Sequence, residues 1–208
     1  MSSTKTPDKT SGGGGSSAGS RSKLVNATIA LLAAKGYEST GIAEILGASK
    51  VSRSNFYYHF KSKEELCLSA LDKIANLYFN TVIAQTLGNP KLNPAERLQK
   101  HFDYLIEVMD TQSCDGGCVF TNLEAEVSDF YPSFRDRLQK IDEYTLQAIE
   151  STCRDGIDQK QFRKDIDPAV MANTVLAMFK GASILAKSQK DSKLINQTCD
   201  TLMTMLCK

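Results

Sequence analysis

Apolar residues recur at helical spacing along nearly the whole chain. From residue 21 onward they stand three and four positions apart, and no segment alternates apolar with polar residues as a half-buried strand does. Helix-start signals divide this pattern: Ser62 and Glu65 form a capping box, and Asn93-Pro94 and Asp167-Pro168 place proline after a capping residue. Further boundaries are predicted at Gly36, Thr40, Ser52, Gly117, Pro132 and Asp191. The sequence therefore predicts an all-α fold of about nine helices, the first three of them short.

The composition is that of a folded globular protein. Of 208 residues, 41% are hydrophobic and 24% charged, which excludes a wholly disordered chain, a collagen and a coiled-coil rod. Residues 1–20 differ, since Ser, Thr, Gly and Lys dominate there, and we expect a disordered tail. No run approaches the roughly 18 apolar residues of a membrane span, and the N-terminus lacks the apolar segment of a signal peptide. These features predict a cytoplasmic protein with no membrane partner.

Charge is distributed unevenly, although the net charge is only +1. Residues 21–66 hold seven Lys and Arg against four Asp and Glu, whereas residues 67–208 hold sixteen against nineteen. We therefore expect residues 21–66 to approach a polyanion and residues 67–208 to form a neutral-to-acidic helical body.

Two short helices joined by a turn at residues 47–50 match the arrangement that places a recognition helix in the major groove of DNA. Phe56 and Phe60 are four residues apart and should share the buried face of the second helix. Arg53 suits guanine and Asn55 suits adenine, because each side chain can bond two atoms on the edge of its base. Tyr and His donors suit phosphate oxygens. The sequence thus indicates a DNA-binding domain at residues 21–66.

Two segments and two single residues on either side of this turn form a longer motif that spans the whole domain. They are residues 33–40 (AAKGYEST), residues 56–66 (FYYHFKSKEEL), Ile45 and Val51. They resemble the tetracycline-repressor (TetR) family of transcriptional regulators. The resemblance is specific over residues 21–70 and diffuse afterwards. It implies phosphate contacts by the residues that match the family's clamp, which are Thr40, Tyr57, His59 and Lys63.

The turn departs from the family pattern at Lys50, which stands where a glycine is usual, and we expect it to add a phosphate contact. Two candidates have a second interpretation: Tyr58 as an aromatic at the edge of the core, and Ser54 as a residue that only faces solvent. The complete set predicted to bind DNA is Thr40, Lys50, Ser52, Arg53, Ser54, Asn55, Tyr57, Tyr58, His59 and Lys63.

The resemblance also implies that residues 67–208 bind a small-molecule effector and pair two subunits. Apolar stripes at helical spacing are more often plain core than the wall of a cavity, but stripes rich in Met and Phe suit an apolar effector. The candidate pocket residues are Phe102, Leu105, Met109, Phe120, Leu123, Tyr144, Val175, Met178 and Phe179.

The last two helices are predicted to form a four-helix interface in a homodimer. A twofold dimer can read a palindrome whose half-sites lie about 34 to 36 Å apart. The interface is assigned to one face of the last helix and to a small-residue face of the helix before it. The predicted residues are Gly181, Ile184, Leu185, Ile195, Cys199, Leu202 and Leu206.

Six cysteines in a chain with no export signal favour free thiols over a disulfide framework. Cys114 and Cys118 are candidates for a reactive site, because a helix start is predicted at Cys118 and the helix dipole lowers the pKa of a thiol there. The alternative is that Cys118 is a small buried hydrophobe and Cys114 an unreactive surface thiol. Their spacing does not match a zinc site, and His101 is expected to be a surface histidine, so we predict no metal and no cofactor.

The leading prediction is a homodimeric regulator, in the usual family direction a repressor, that binds operator DNA and responds to an effector. A thiol-based sensor of electrophiles or oxidants is the nearest alternative. An all-helical enzyme and a helix-turn-helix protein that does not bind DNA belong to other classes. Because no nucleophile-elbow, zinc-protease or dinucleotide motif is present, we predict that the chain is not an enzyme.

Overall fold

A computed structural model describes residues 17–111 and 116–207. The described part is helical and has the all-α fold that the sequence predicts. A π-helical segment, Tyr78–Ile83, continues the fourth helix. The α-helices are α1 (Ser17–Lys35), α2 (Ile42–Ser49), α3 (Arg53–His59), α4 (Lys63–Leu77), α5 (Pro94–Thr111), α6 (Val119–Val127), α7 (Pro132–Asp158), α8 (Pro168–Gln189) and α9 (Lys193–Leu206).

Helix α1 begins at Ser17, so the predicted boundary of a disordered tail at residue 20 is wrong for residues 17–20. Residues 1–16 lie outside the described residues. Helix α4 crosses the domain boundary expected after residue 66. Leu66 and Leu71 of α4 pack in one cluster with Leu24 of α1, so α4 is part of the core around the first three helices.

Local capping sets several helix starts. Asn93 Oδ1 accepts from Glu96 N at 3.0 Å, and Glu96 Oε2 accepts from Asn93 N at 3.0 Å, which is a complete capping box. At α4 only half of the predicted box forms: Ser62 Oγ accepts from Glu65 N at 3.1 Å, but the Glu65 carboxylate accepts from Lys61 N at 2.7 Å. The glutamate thus satisfies an amide in the preceding turn instead of its box partner.

The buried side chains form two clusters. The N-terminal cluster joins α1–α4 to Leu123 and Val127 of α6 and to Phe134 of α7. The body cluster joins the π-helical segment, α5 and α7 to α8 and α9. Helices α6 and α7 therefore contribute to the core on which the N-terminal helices are built.

Helix α8 is long and apolar enough to cross a membrane, by length and composition alone. One face packs in the body cluster through residues such as Val175 and Phe179. Lys180 of the same helix is paired with Glu124 and Asp142. This is the environment of a core helix in a folded domain.

Candidate DNA-reading helix and ligand cavity

Helix α3 is held by one buried face and one cap. Phe56 is fully buried and Phe60 is 2% exposed, as their spacing predicts. Ser52 Oγ accepts from Asn55 N at 3.3 Å, which satisfies one amide of the first turn. The opposite face of α3 is therefore free to turn outward.

That outward face carries the residues predicted to read DNA. Arg53, Ser54 and Asn55 are exposed, and Ser54 Oγ lies 3.0 Å from Ser52 Oγ. Tyr57 is 52% and Tyr58 74% exposed, so Tyr58 is not a core-edge aromatic. Polar and aromatic groups of this kind on one exposed face can contact base edges and phosphates.

The turn before α3 is shorter than predicted. Helix α2 continues to Ser49, and Lys50 closes it in the left-handed conformation, with φ 54° and ψ 37°. A left-handed backbone is the reason that glycine is favoured at such a position. Lys50 is exposed and keeps the turn geometry that a glycine would give, at a cost in backbone strain.

Thr40 does not have the roles predicted for it. Gly41, not Thr40, is the N-cap of α2, and no side chain caps that helix. Thr40 is fully buried, and its Oγ1 donates to Gly36 O at 2.6 Å. In this conformation the hydroxyl is turned into the α1–α2 turn, so Thr40 is not presented to phosphate.

His59 is the last residue of α3 and Lys63 the first of α4, and both are less exposed than the tyrosines. His59 Nε2 is buried and has no hydrogen-bond partner within the described part of the chain. Lys63 Nζ donates to Tyr37 O at 3.1 Å and lies 3.9 Å from the centroid of the Tyr37 ring. Lys63 therefore also stabilises the α1–α2 turn.

A carboxylate from α6 holds the same turn. Glu126 Oε2 accepts from Tyr37 N at 2.8 Å, and Glu126 Oε1 accepts from Glu38 N at 2.9 Å. Gly36 has φ 81°, and a Cβ there would overlap the Glu126 carboxylate. We call this contact between Glu126 and residues 36–38 the α6 clasp.

A cavity of about 410 Å³ opens between the π-helical segment and helices α5–α8, and residues of α1 and α4 also line it. This volume lies within the range of small-molecule sites. Six of the nine predicted pocket residues line it: Phe102, Leu105, Met109, Phe120, Val175 and Phe179.

The other three predicted pocket residues lie elsewhere. Leu123 is fully buried in the N-terminal cluster, because it lies on the side of α6 that faces α1–α4. Tyr144 is 48% exposed and packs its ring 4.3 Å from that of Phe79. Met178 packs against the body cluster without lining the cavity. Helical spacing gave the apolar faces correctly but not which side of each helix meets the cavity.

The cavity wall contains buried polar groups that no pattern in the sequence indicates. His101 is 2% exposed, so the expectation of a surface histidine is wrong. Thr86 Oγ1 donates to Val82 O at 2.7 Å and lies 3.1 Å from His101 Nδ1, so Nδ1 carries the proton and donates to Thr86. Nε2 then accepts from Tyr78 Oη at 3.3 Å. Burial lowers the pKa of His101 from 6.5 to about 4 and raises that of Tyr78.

A three-residue charge cluster forms another part of this wall. Lys180 Nζ donates to both carboxylate oxygens of Glu124 at 2.6 and 2.7 Å and also to Asp142. Desolvation of Glu124 raises the pKa of its carboxyl group despite the lysine. Lys180 and Asp142 line the cavity. The cluster pairs one cation with two carboxylates, so it gives the cavity no excess positive charge.

Cys118 lines the cavity as the N-cap of α6, where the sequence predicted a helix start. It is a free, partly exposed thiol. Cys114 lies outside the described residues. By contrast, Cys67, Cys153 and Cys199 are buried, and desolvation raises the pKa of each thiol to about 12. Cys118 is thus the only cysteine of the described residues that lines this cavity.

The predicted dimer interface divides into two groups. Ile195, Cys199, Leu202 and Leu206 are at most 1% exposed, because α9 packs its whole apolar stripe into the body cluster of its own chain. Assigning this stripe to a dimer interface was wrong. On α8, Gly181 is exposed, Ile184 is 46% and Leu185 49% exposed. Of the predicted interface residues, those that remain exposed are therefore on α8.

Together, the short α2 and α3, the exposed polar face of α3 and the helical body define a helix-turn-helix regulator. Residues 24–70 match the family model of bacterial regulatory proteins, tetR family. Residues 94–202 match the tetracyclin repressor-like C-terminal domain. The chain belongs to the TetR family of transcriptional regulators.

Individual relatives agree. The HTH-type transcriptional repressor DhaR of Mycobacterium sp. (strain GP1) is 27% identical over 177 residues, which cover 85% of this chain and 87% of DhaR. The transposon Tn10 TetC protein of Escherichia coli is 37% identical over 171 residues, covering 81% of this chain and 80% of TetC. The crystal structure of a TetR protein from Rhodobacter sphaeroides has the same fold, with a TM-score of 0.83 and 24% identity over 90% of this chain and 98% of that one. DhaR is a transcriptional repressor, and the family that the chain matches is one of regulatory proteins and not of enzymes.

Proposed function

We propose that the chain is a homodimeric repressor that binds a palindromic operator and releases it when a small molecule occupies the cavity. The observation that carries the proposal is the exposed polar face of α3, backed by the buried Phe56 and Phe60, in a chain whose body encloses a cavity of about 410 Å³. Such a protein works in the cytoplasm, where its operator lies.

In this proposal Arg53 and Asn55 read bases in the major groove, because they lie at the exposed leading end of α3. Ser52 and Ser54 stand beside them. The phosphate contacts come from Lys50 in the turn before α3, from Tyr57, Tyr58 and His59 in the second half of α3, and from Lys63 at the start of α4.

Dimerisation through α8 would bring two such helices to one palindrome. Val170, Ile184 and Leu185 of α8 are apolar, yet they are 63%, 46% and 49% exposed. The helix as a whole is as apolar as a core helix. A variant with Ile184→Asp and Leu185→Asp should sediment as a monomer at micromolar concentration, whereas Phe130→Asp, an exposed aromatic outside α8, should remain a dimer. A wild-type monomer would contradict the proposal.

Two elements could carry a change in the cavity to α3. Tyr78 lines the cavity at the point where α4 becomes π-helical, and α6 runs from the cavity to the α6 clasp. Because linkage is reciprocal, bound DNA must weaken effector binding by the factor by which the effector weakens DNA binding.

The test is a fluorescence-anisotropy titration of the full chain on the DNA upstream of its own gene, with a shuffled duplex as control. Arg53→Ala and Asn55→Ala should remove the preference for the genuine fragment. Tyr57→Phe should weaken both duplexes alike. Equal affinity of the wild type for both duplexes at every salt concentration, with an operator absent from genomic selection, would overturn the assignment.

A thiol sensor is the second candidate, favoured by the position of Cys118 in the wall of the cavity. An electrophile that enters the cavity would then meet a free thiol at the start of α6. Mild alkylation followed by mass spectrometry should modify Cys118 before Cys67, Cys153 and Cys199, which are buried. Unmodified Cys118 after complete alkylation of Cys207, the other partly exposed thiol among the described residues, would exclude this candidate.

A further inference from the structure

The wall of the cavity comes from both buried clusters. Ile29 of α1 packs against the N-terminal cluster and lines the cavity, as does Ile141 of α7, which belongs to that cluster. Phe102 of α5 and Val175 and Phe179 of α8 line it from the body cluster. A molecule that fills the cavity therefore lies between the helices that hold α3 and the helices of the body.

Helix α1 contributes two apolar residues to this wall, Ile29 and Ala33, which are four positions apart and share one face of the helix. Both are only partly buried. On the adjacent face, Leu24 and Leu32 are fully buried in the N-terminal cluster, and α1 packs on α2, α3 and α4. One face of α1 thus holds the DNA-binding domain together, and the next face meets the cavity.

Most of the wall nevertheless belongs to the body. Among the described residues of the wall, only Ile29, Ala33, Ile74 and Leu77 come before the π-helical segment in the chain. Helix α8, which supplies Leu176 to the wall, packs on α6, α7 and α9 and so belongs to the body. A short molecule is therefore held by the body helices, and only a longer one also reaches α1.

Three polar side chains of the wall are already hydrogen-bonded within the chain. His101 is bonded through both ring nitrogens, Thr145 Oγ1 donates to the carbonyl four residues earlier, and two carboxylates share the Lys180 ammonium group. These groups gain little from a ligand, because each would exchange one hydrogen bond for another. The affinity of a ligand must then come from apolar contact with the wall.

A ligand changes DNA binding only if it distinguishes between two arrangements of the protein. A short molecule held by the body helices makes no contact with the DNA-binding domain and draws no such distinction. A longer molecule that packs against α1 and α8 at once favours the separation at which both contacts form. Operator DNA instead favours the arrangement in which two α3 helices match the half-sites, so the two requirements compete.

We infer that the effector is an elongated, apolar molecule that bridges α1 and α8, and that its contact with Ile29 and Ala33, rather than occupancy of the body, weakens DNA binding. This inference rests on the proposed function, since it names the shape of the effector and the contact through which it acts. The ligand site is in this way shared between the DNA-binding domain and the body.

The probes are two straight-chain alcohols, 1-hexanol and 1-decanol, titrated by calorimetry into the full-length protein. Affinity should rise about fourfold for each added methylene group that is buried. Operator binding is then followed by fluorescence anisotropy on the upstream DNA, with each alcohol at the concentration that saturates the cavity. Saturating 1-hexanol should leave the affinity for the operator unchanged, whereas saturating 1-decanol should lower it at least tenfold.

Two variants remove equal numbers of carbon atoms from different parts of the wall. Ile29→Ala should weaken 1-decanol about tenfold and leave 1-hexanol unchanged, which also shows that the variant is folded. It should also abolish the effect of 1-decanol on operator binding. Leu176→Ala, on α8, is the matched control: it should weaken both alcohols alike and keep the effect of saturating 1-decanol.

Release of the operator by 1-hexanol as complete as by 1-decanol would overturn the inference and leave the proposed function standing. Equal weakening of both alcohols by Ile29→Ala, or binding of neither alcohol to the wild type, would also overturn it. Bound 1-decanol that leaves operator affinity unchanged would overturn the role of the α1 contact in DNA release. Absence of operator binding by the wild type, with 1-decanol still dependent on Ile29, would contradict the regulator and support the shared site.

Discussion

The two ends of α6 differ in how their polar groups are satisfied. At the C-terminal end, both oxygens of Glu126 accept backbone N–H groups, from Tyr37 and Glu38 of the DNA-binding domain. At the N-terminal end, Thr121 Oγ1 is buried without a partner in the described residues. A nine-residue helix of about 13 Å therefore carries a hydrogen-bonded carboxylate near one end and an unpaired hydroxyl near the other.

This difference teaches how one short helix can have two tasks. Polar groups that are satisfied within the chain fix a geometry, because breaking them leaves a desolvated donor or acceptor. An unsatisfied buried group costs free energy and fixes no such geometry. The α6 clasp is thus suited to hold α6 to the DNA-binding domain, and the N-terminal end of α6 is the less constrained of the two.

Removing the Glu126 carboxylate should have the largest effect on the free energy of unfolding. Glu126→Ala should lower the free energy of unfolding by about 3 kcal/mol, because two hydrogen bonds to a charged acceptor are lost. Glu126→Gln keeps one acceptor oxygen and should lose less. The measurement is chemical denaturation at neutral pH. Glu143→Ala, an exposed glutamate on α7, is the matched control and should change the free energy by less than about 0.5 kcal/mol.

Gly36 tests whether the α6 clasp itself is responsible. Gly36→Ala should destabilise the wild type, because the new Cβ would overlap the Glu126 carboxylate. In the Glu126→Ala background the overlap is gone and only the positive φ remains unfavourable, so the two changes should not be additive. Additive effects would mean that the clasp contributes no coupling between α6 and the α1–α2 turn.

In the cavity wall, protonation of His101 on α5 should have the next largest effect on stability. The pKa of His101 is about 4 in the folded chain and 6.5 ordinarily, so between these values the unfolded chain binds a proton that the folded chain does not. Stability contributed by neutral His101 is therefore present above about pH 6.5 and is lost as the pH falls toward 4. Between pH 7 and pH 5 the loss should be about 2 kcal/mol. His101→Gln should flatten this dependence; an equally steep profile in the variant would assign it to other groups.

Local signals predicted much of the N-terminal domain. Ser52 caps α3, and Phe56 and Phe60 are buried as their spacing requires, because these contacts join residues close in sequence. The α6 clasp joins Tyr37 to Glu126, eighty-nine positions apart, and no local pattern indicates it. The apolar stripe of α9 was recognised, but periodicity alone does not say whether its partner is the same chain or a second copy.

At the N-terminal end of α6, removing a polar group should raise the free energy of unfolding, whereas at the C-terminal end it should lower it. Thr121→Val removes an unpaired buried hydroxyl and should raise the free energy of unfolding by about 1 kcal/mol. Thr145→Val is the matched control, because Thr145 also lines the cavity but its hydroxyl donates to Ile141 O at 2.9 Å. That variant should be destabilised by about 1 kcal/mol. Destabilisation of both variants alike would show that Thr121 is satisfied in solution, and the contrast between the ends of α6 would fail.

The smallest expected change in the free energy of unfolding comes from relieving backbone strain at Lys50, in the turn before α3. Lys50 and Lys160 both have a left-handed backbone, with φ 54° and 61°. Replacing either by glycine should relieve strain and raise the free energy of unfolding by about 0.5 kcal/mol, since the added entropy of the unfolded chain offsets part of the gain. Only Lys50→Gly should weaken DNA binding and lower the salt slope by about one, because only Lys50 lies beside α3. An unchanged salt slope in Lys50→Gly would mean that this lysine supplies turn geometry without a phosphate contact.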